Sequence, residues 1–213
     1  MKNLYSFLII SFCFSLVVCT SGVTVRTGVS NFTCFKQKGY VFGIIRGYLN
    51  IGKVDPNVRN NLIAASNAKL MYADVFINPC TTCNMKPEDQ VKQLVEEIKG
   101  VDFGIMYVMV QIKDKWLPNH DENCKYVNAM IDEIARNGIS PGIGSDQAEW
   151  NQIMGNSCRI QNTKTACWWD KHDKKASFDN FKPFGGFTFP ILKEYDGPEN
   201  ICGIEVDKCF CNC

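Results

Sequence analysis

Acidic side chains gather where strand-like runs of this chain end: Asp55, Asp114, Asp146, Asp170, Asp173, Glu194, Asp196 and Asp207. Two carboxylates flanking a glycosidic bond can cleave it, one delivering a proton to the leaving oxygen and the other supplying negative charge or a nucleophile. The run FGIMYVMVQI at 103–112 reads as a buried parallel strand, and near its exit it offers one uncharged amide, Gln111. A barrel glycosidase would place its acid at a strand end of this kind. An amide donates a hydrogen bond but has no proton to give. Most acids in loops are merely solvated, so the inventory alone makes no site.

Other chemistries find less support. Cys80-Thr81-Thr82-Cys83 has redox spacing, but it follows a strand and Pro79, which favours a structural disulfide. The tail Cys209-Phe210-Cys211-Asn212-Cys213 could hold a soft metal, yet with Cys202 nearby and an even cysteine total, disulfide pairing is the expectation. The two histidines, His120 and His172, stand in no His-x-x-x-His pattern, so no metal is expected. Gly142-Ile143-Gly144 lacks the third glycine of a dinucleotide fingerprint and precedes Asp146. No cofactor is expected.

The elements that must position these residues alternate. Val23–Val25 reads as a strand, with a helix near Asn31–Lys38, and Val41–Tyr48 as the next strand. Asp55-Pro56 is expected to cap a helix carrying Val58, Leu62, Ala65 and Lys69. Tyr72–Ile77 is a strand, and Pro87 starts a helix through Val91, Leu94, Val95 and Ile98 that Gly100 ends. The 103–112 strand follows. A helical face at Val127, Met130, Ile131, Ile134 and Ala135 leads to a strand at Ile139–Gly144, and Asp146 with Glu149 forms a capping-box pattern for a helix through Met154. Ala166–Trp169, Pro190–Tyr195 and Gly203–Val206 read as strands without convincing helices between them. About eight strands in βα alternation point to a barrel or a doubly wound sheet.

Composition sets the class. Lys2, an apolar stretch from Leu4 to Val18 and then small or polar residues form a secretory signal pattern, expected over 1–19 with a boundary as late as 22. A single domain is expected over 20–213. The apolar run is short for a membrane span of roughly 20 residues, so no membrane association is expected once the leader is removed. Twelve cysteines suit an oxidising compartment; removing a leader with Cys13 and Cys19 leaves ten, an even number consistent with disulfides. Asn31-Phe32-Thr33 is a sequon compatible with the same route. Export, or delivery to a lysosomal compartment, is the expectation. A net charge of +1 with interspersed signs asks for no nucleic acid, and the Lys171–Lys175 cluster, broken by His172 and Asp173, reads as a solvated face rather than a phosphate groove.

Several ordered blocks then resemble the animal-type lysozymes of glycoside hydrolase family 25. They are Val29–Lys36, Phe42–Tyr48, Gly52–Asn57, Asp74–Cys80 with Cys83, Trp150–Cys158, Phe178–Phe187 and Cys202–Asp207. The resemblance implies an irregular (β/α) TIM-like barrel with few helices in its C-terminal part, stabilised by disulfides. It also implies muramidase activity on bacterial peptidoglycan, in antibacterial defence or digestion. Carried across residue by residue, the family's Asp-x-Ser at the end of the first strand falls on Thr24-Val25-Arg26, and its Asp-x-Glu on Met109-Val110-Gln111. Asp173 and Asp207 match family aspartates, and Glu194 stands where a glutamine is usual. Arg46, Tyr48, Trp168, Trp169, Lys193 and Tyr195, near strand ends, are candidates for sugar binding, although barrel aromatics are as often core as cleft.

Three readings follow. The chain is a lysozyme-like protein that has lost its acids and binds glycan, or a working muramidase whose carboxylate pair is rebuilt from Asp173, Glu194 and Asp207, or a structural or signalling protein without glycan binding. Losing general-acid help alone removes roughly a hundred- to ten-thousandfold in rate.

Overall fold

The computed structural model describes residues 20–170 and 173–211. The expected leader at 1–19 lies outside them, as do His172 and Cys213. Strands β1 (Thr20–Val25), β2 (Tyr40–Leu49), β3 (Lys53–Val54), β4 (Tyr72–Ile77), β5 (Ile105–Met109), β6 (Ser140–Ser145), β7 (Ala166–Trp169), β8 (Leu192–Ile201) and β9 (Ile204–Cys211) form one sheet. Its order is β1-β9-β8-β7-β6-β5-β4-β2-β3, and β1 also pairs with β2. That last pairing closes eight strands into a barrel and excludes the doubly wound alternative; β3 is an antiparallel extension of β2.

The barrel is mixed. Apart from β3, strands β1 through β8 run parallel around the wall, while β9 is antiparallel to both β8 and β1. Strict βα alternation therefore fails at the end of the chain. The last two strands form a hairpin that completes the barrel without a crossover helix, which is why no helical pattern separates them in the sequence. Its tip is tied to helix α1 (Thr33–Gln37) by the Cys34–Cys202 disulfide.

Helices α2 (Val58–Asn67), α3 (Pro87–Glu97), α4 (His120–Arg136) and α5 (Gln147–Met154) cover the outside over the first two-thirds of the chain. Asn119 caps α4 by accepting from the Asp121 and Glu122 amides, and Asp146 caps α5 by accepting from the Glu149 amide at 2.8 Å. Asp55 does not cap α2. It accepts from Asn57 two residues on and pairs with Arg46, so α2 begins at Val58.

The apolar residues divide into two cores, as the period-two alternation of strands requires. Val23, Ile45, Val75, Val108 and Ile143 face outward against Leu62, Leu94, Met130 and Ile134 of the helices. Phe42, Ile44, Phe76, Tyr107, Met109, Cys167, Leu192 and Cys209 fill the interior.

The cysteines pair less completely than expected. Cys34–Cys202, Cys80–Cys83 and Cys124–Cys158 are disulfides, and Cys211 is also disulfide-bonded. Cys167 and Cys209, however, are buried free thiols. Both point into the barrel interior, where they pack as small apolar side chains.

Candidate functional site

The C-terminal ends of the parallel strands form the barrel mouth, where βα loops converge. β1 ends at Val25, and the next side chain, Arg26, turns inward across the opening. Its guanidinium donates to Asp207 on β9 and to both carboxylate oxygens of Glu194 on β8, at 3.3 and 3.4 Å. It also lies over two rings, 5.3 Å from the centroid of Trp169 on β7 and 5.7 Å from that of Phe76 on β4. Burial alone would lower the Arg26 pKa, but Glu194 and Asp207 raise it, so the guanidinium stays charged. Arg46, at the bulge in β2, donates through Nε to Asp55 at 2.7 Å and through Nη2 to the Arg26 carbonyl, which holds the end of β1 in place.

Thr24 sits one layer deeper, fully buried, with Oγ1 3.0 Å from the Cys209 thiol. Met109 closes β5 and is buried against the interior cluster; a side chain at Gly144 would collide with its thioether, so the glycine leaves the space that Met109 fills. The 103–112 strand is shorter than expected. Regular pairing covers Ile105–Met109, and Gln111 lies beyond it in a turn whose carbonyl accepts from the Asp114 amide and the Trp116 indole. Gln111 is buried, and its Oε1 has no hydrogen-bond partner among the described residues.

On the β4–β5 side, Asn50 and Asn78 donate to the two oxygens of Asp114 at 2.8 and 3.1 Å. Desolvation raises the Asp114 carboxyl, against those two hydrogen bonds and the charge of Lys113. Glu149, absent from the strand-end acids read in the sequence, reaches this turn from α5. Its Oε1 accepts from the Ile112 amide at 3.1 Å, and its Oε2 is buried without a partner among the described residues. Burial raises its pKa, and Asp146 and Asp114 add to the rise. Glu149 thus braces the turn that carries Gln111. No spacing signal marks it, because in the sequence it reads as the second half of a capping box.

The carboxylates expected to rebuild a catalytic pair do not all meet. Glu194 and Asp207 converge, but on Arg26. Asp173 lies apart, paired with Lys193 at 2.7 Å. Burial would raise the Asp173 carboxyl, but hydrogen bonds from Lys193 and the Lys175 amide hold it below its ordinary value, the wrong direction for a proton donor.

The expected sugar contacts divide similarly. Arg46 is at the mouth. Tyr48 is not: a bulge between Arg46 and Tyr48 re-aims the strand, and Tyr48 is buried against α3 with its hydroxyl donating to Gln93 at 2.8 Å. Desolvation there pushes its pKa up to about 12. Trp168 and Lys193 alternate with the inward-facing Cys167, Trp169, Leu192 and Glu194, so they face outward. The Lys193 ammonium sits 4.1 Å from the Trp168 ring centroid, and Phe181 packs on that ring. Tyr195, at the bulge between Glu194 and Asp196, is half-buried; desolvation raises its phenol, and Lys208 opposes the rise. Trp169, also expected near a strand end, walls the mouth, with Lys113 5.8 Å from its ring centroid.

A family model described as Lysozyme-like protein 1 matches residues 17–195. The chain is 31% identical over 206 residues to the probable GH family 25 lysozyme 2 of Dictyostelium discoideum, covering 94% of this chain and 95% of that protein. It is 30% identical to lysozyme-like protein 5 of Caenorhabditis elegans, covering 93% and 94% of the two chains. The fold is shared with the GH25 lysozyme from Aspergillus fumigatus, at TM-score 0.69 and 14% identity over 92% of this chain and 95% of that one. It is also shared with the autolysin LytC from Streptococcus pneumoniae, solved in complex with a synthetic peptidoglycan ligand, at TM-score 0.67 and 13% identity over 90% of this chain and 46% of that one. A full-length match to named lysozymes, on a barrel closed by an antiparallel hairpin, decides the kinship: the chain belongs to the lysozyme-like proteins of glycoside hydrolase family 25.

Proposed function

We propose that this is an exported lysozyme-like protein that binds peptidoglycan or a related cell-wall glycan without hydrolysing it, in antibacterial defence or digestion. The carrying observation is that Arg26 pairs with Asp207 and Glu194 in the mouth; the resemblance adds the reading that Met109 and Gln111 take the acid positions. An oxocarbenium-like transition state needs a proton at the leaving oxygen and negative charge at the sugar. Gln111 and Met109 supply neither, and Asp207 and Glu194 already share a guanidinium. Binding survives such changes more readily than chemistry. Trp169 remains half-exposed at the mouth for ring stacking, and Gln111, Asn50 and Lys113 supply hydrogen-bonding groups beside it. Peptidoglycan, the ligand in the pneumococcal autolysin structure, is the glycan to try first.

The test is a turbidity assay on purified peptidoglycan paired with co-sedimentation. The expected result is protein in the pellet with no clearing of the suspension. Robust clearing would establish a working muramidase instead, and failure to sediment would leave the structural or signalling reading.

A further inference from the structure

The groups around Arg26 come from two sides of the barrel: Trp169, Glu194 and Asp207 from the adjacent strands β7, β8 and β9, and Phe76 from β4 across the opening. A single planar group can reach all four only from near the barrel axis. We propose that Arg26 is a built-in occupant of the mouth: its guanidinium fills a seat for a planar organic cation and excludes a sugar ring from the axis. The seat joins two carboxylates to two aromatic faces, and each of these attracts a flat, delocalised positive charge. A sugar becomes such a cation during glycosidic cleavage, when positive charge spreads over the ring carbon and oxygen. Here the chain supplies the cation itself, on a side chain whose backbone carbonyl is fixed by Arg46, itself paired to Asp55.

Arg26 is therefore a specificity-determining residue. A glycan meets the rim beside Trp169 and Lys113 and cannot descend to Asp207, whose side chain is almost wholly buried beneath the guanidinium. The point rests on the glycan-binding reading for its ligand, but the seat can be tested without one.

The experiment compares the native chain with Arg26→Ala, using methylguanidinium as the probe and equal concentrations of sodium chloride as the ionic control. The variant is expected to show a saturable rise in Tm with methylguanidinium that the native chain, its seat already filled, does not. An equal response in both proteins, or none in the variant, overturns the proposal. Should Arg26→Ala not fold, the side-chain nitrogen resonances of the native chain decide. Arg26 is expected to show separate, slowly exchanging Nη signals that wall fragments leave unchanged, with Arg26→Lys giving the assignment; averaged signals like those of a surface arginine overturn the proposal. Co-sedimentation separates the two ideas. If Arg26→Ala answers methylguanidinium while neither protein binds wall, the glycan reading falls and the seat stands; if the native chain binds wall and the variant ignores methylguanidinium, the reverse holds. Where both stand, Arg26→Ala binds wall fragments severalfold more tightly than the native chain.

Discussion

Arg26 and Asp207, 181 residues apart, form an ion pair across the barrel mouth that joins the end of β1 to β9. The strands are neighbours, with Val25 opposite Val206, so the pair locks the seam where the first and last strands of the barrel meet. Removing one partner of a buried pair costs about 3–5 kcal/mol, because the other charge is left without compensation. Arg26 keeps 24% of its side-chain surface exposed and retains Glu194, which reduces the figure. Asp207→Ala is expected to lower unfolding stability by about 2–3 kcal/mol in urea titration. A loss below about half a kcal/mol, the range of ordinary surface changes, would mean the pair does not hold the seam.

Adding acids beside the mouth should not by itself confer lysis. Met109→Asp with Gln111→Glu puts carboxyls at the end of β5, yet the guanidinium still covers the axis. In the turbidity assay the double variant is expected to remain inactive, and clearing should appear only when Arg26→Ser is added. Melting curves must accompany the assay, since Met109 is 1% exposed and an aspartate there adds a buried charge. Lysis by the double variant alone would show that Arg26 does not obstruct the mouth.

The two ends of the chain differ in how plainly they could be read. Tyr72–Ile77 and Ala166–Trp169 are short apolar runs buried on both faces, and their sequence and structural limits coincide. The β8–β9 hairpin carries Lys193, Glu194, Asp196, Glu199 and Asn200 in ten residues, so hydrophobic pattern marks only its first half. Of the mouth, the sequence states only that Thr24-Val25-Arg26 and Met109-Val110-Gln111 carry no acid. That Arg26 fills the opening depends on Glu194 and Asp207, which reach it only through barrel closure. The misplaced aromatics have equally local causes. A one-residue bulge turned Tyr48 toward α3, and strand alternation sent Trp168 outward while Trp169 faced in.

The disulfides should contribute unequally. In the chain-entropy account, stabilisation grows with the logarithm of the loop closed. Cys34–Cys202 spans 168 residues and Cys80–Cys83 spans 3. The former corresponds to about 5 kcal/mol and the latter to about 2 kcal/mol or less. Cys80 is further held by Gln90, whose amide bonds both its backbone N–H and its carbonyl. Paired Cys→Ser changes compared by chemical denaturation are expected to show the larger loss for Cys34/Cys202. Equal losses would place the stabilisation in local contacts rather than loop closure.

Asp74 gives the barrel a pH dependence of definite sign. Desolvation raises its carboxyl to about 7, although the Ile105 amide opposes the shift by hydrogen bonding. Gly104 leaves room for its Oδ1, which accepts from the Ile105 amide at 2.8 Å. The titratable groups facing it, Tyr72, Tyr107 and Cys167, are all shifted upward by burial and stay neutral through this range. Between about pH 4 and pH 7 the folded chain keeps a proton that the unfolded chain releases, so the native state binds more protons and stability falls as pH rises. A shift of about three units sets an upper bound of about 4 kcal/mol on that loss. Asp74→Asn preserves an acceptor for Ile105 and cannot ionise. Relative to the native chain, the variant should be nearly unchanged at pH 4 and increasingly more stable toward pH 8 in denaturant titrations. Parallel stability curves for the two proteins would show that Asp74 is not held protonated in the fold.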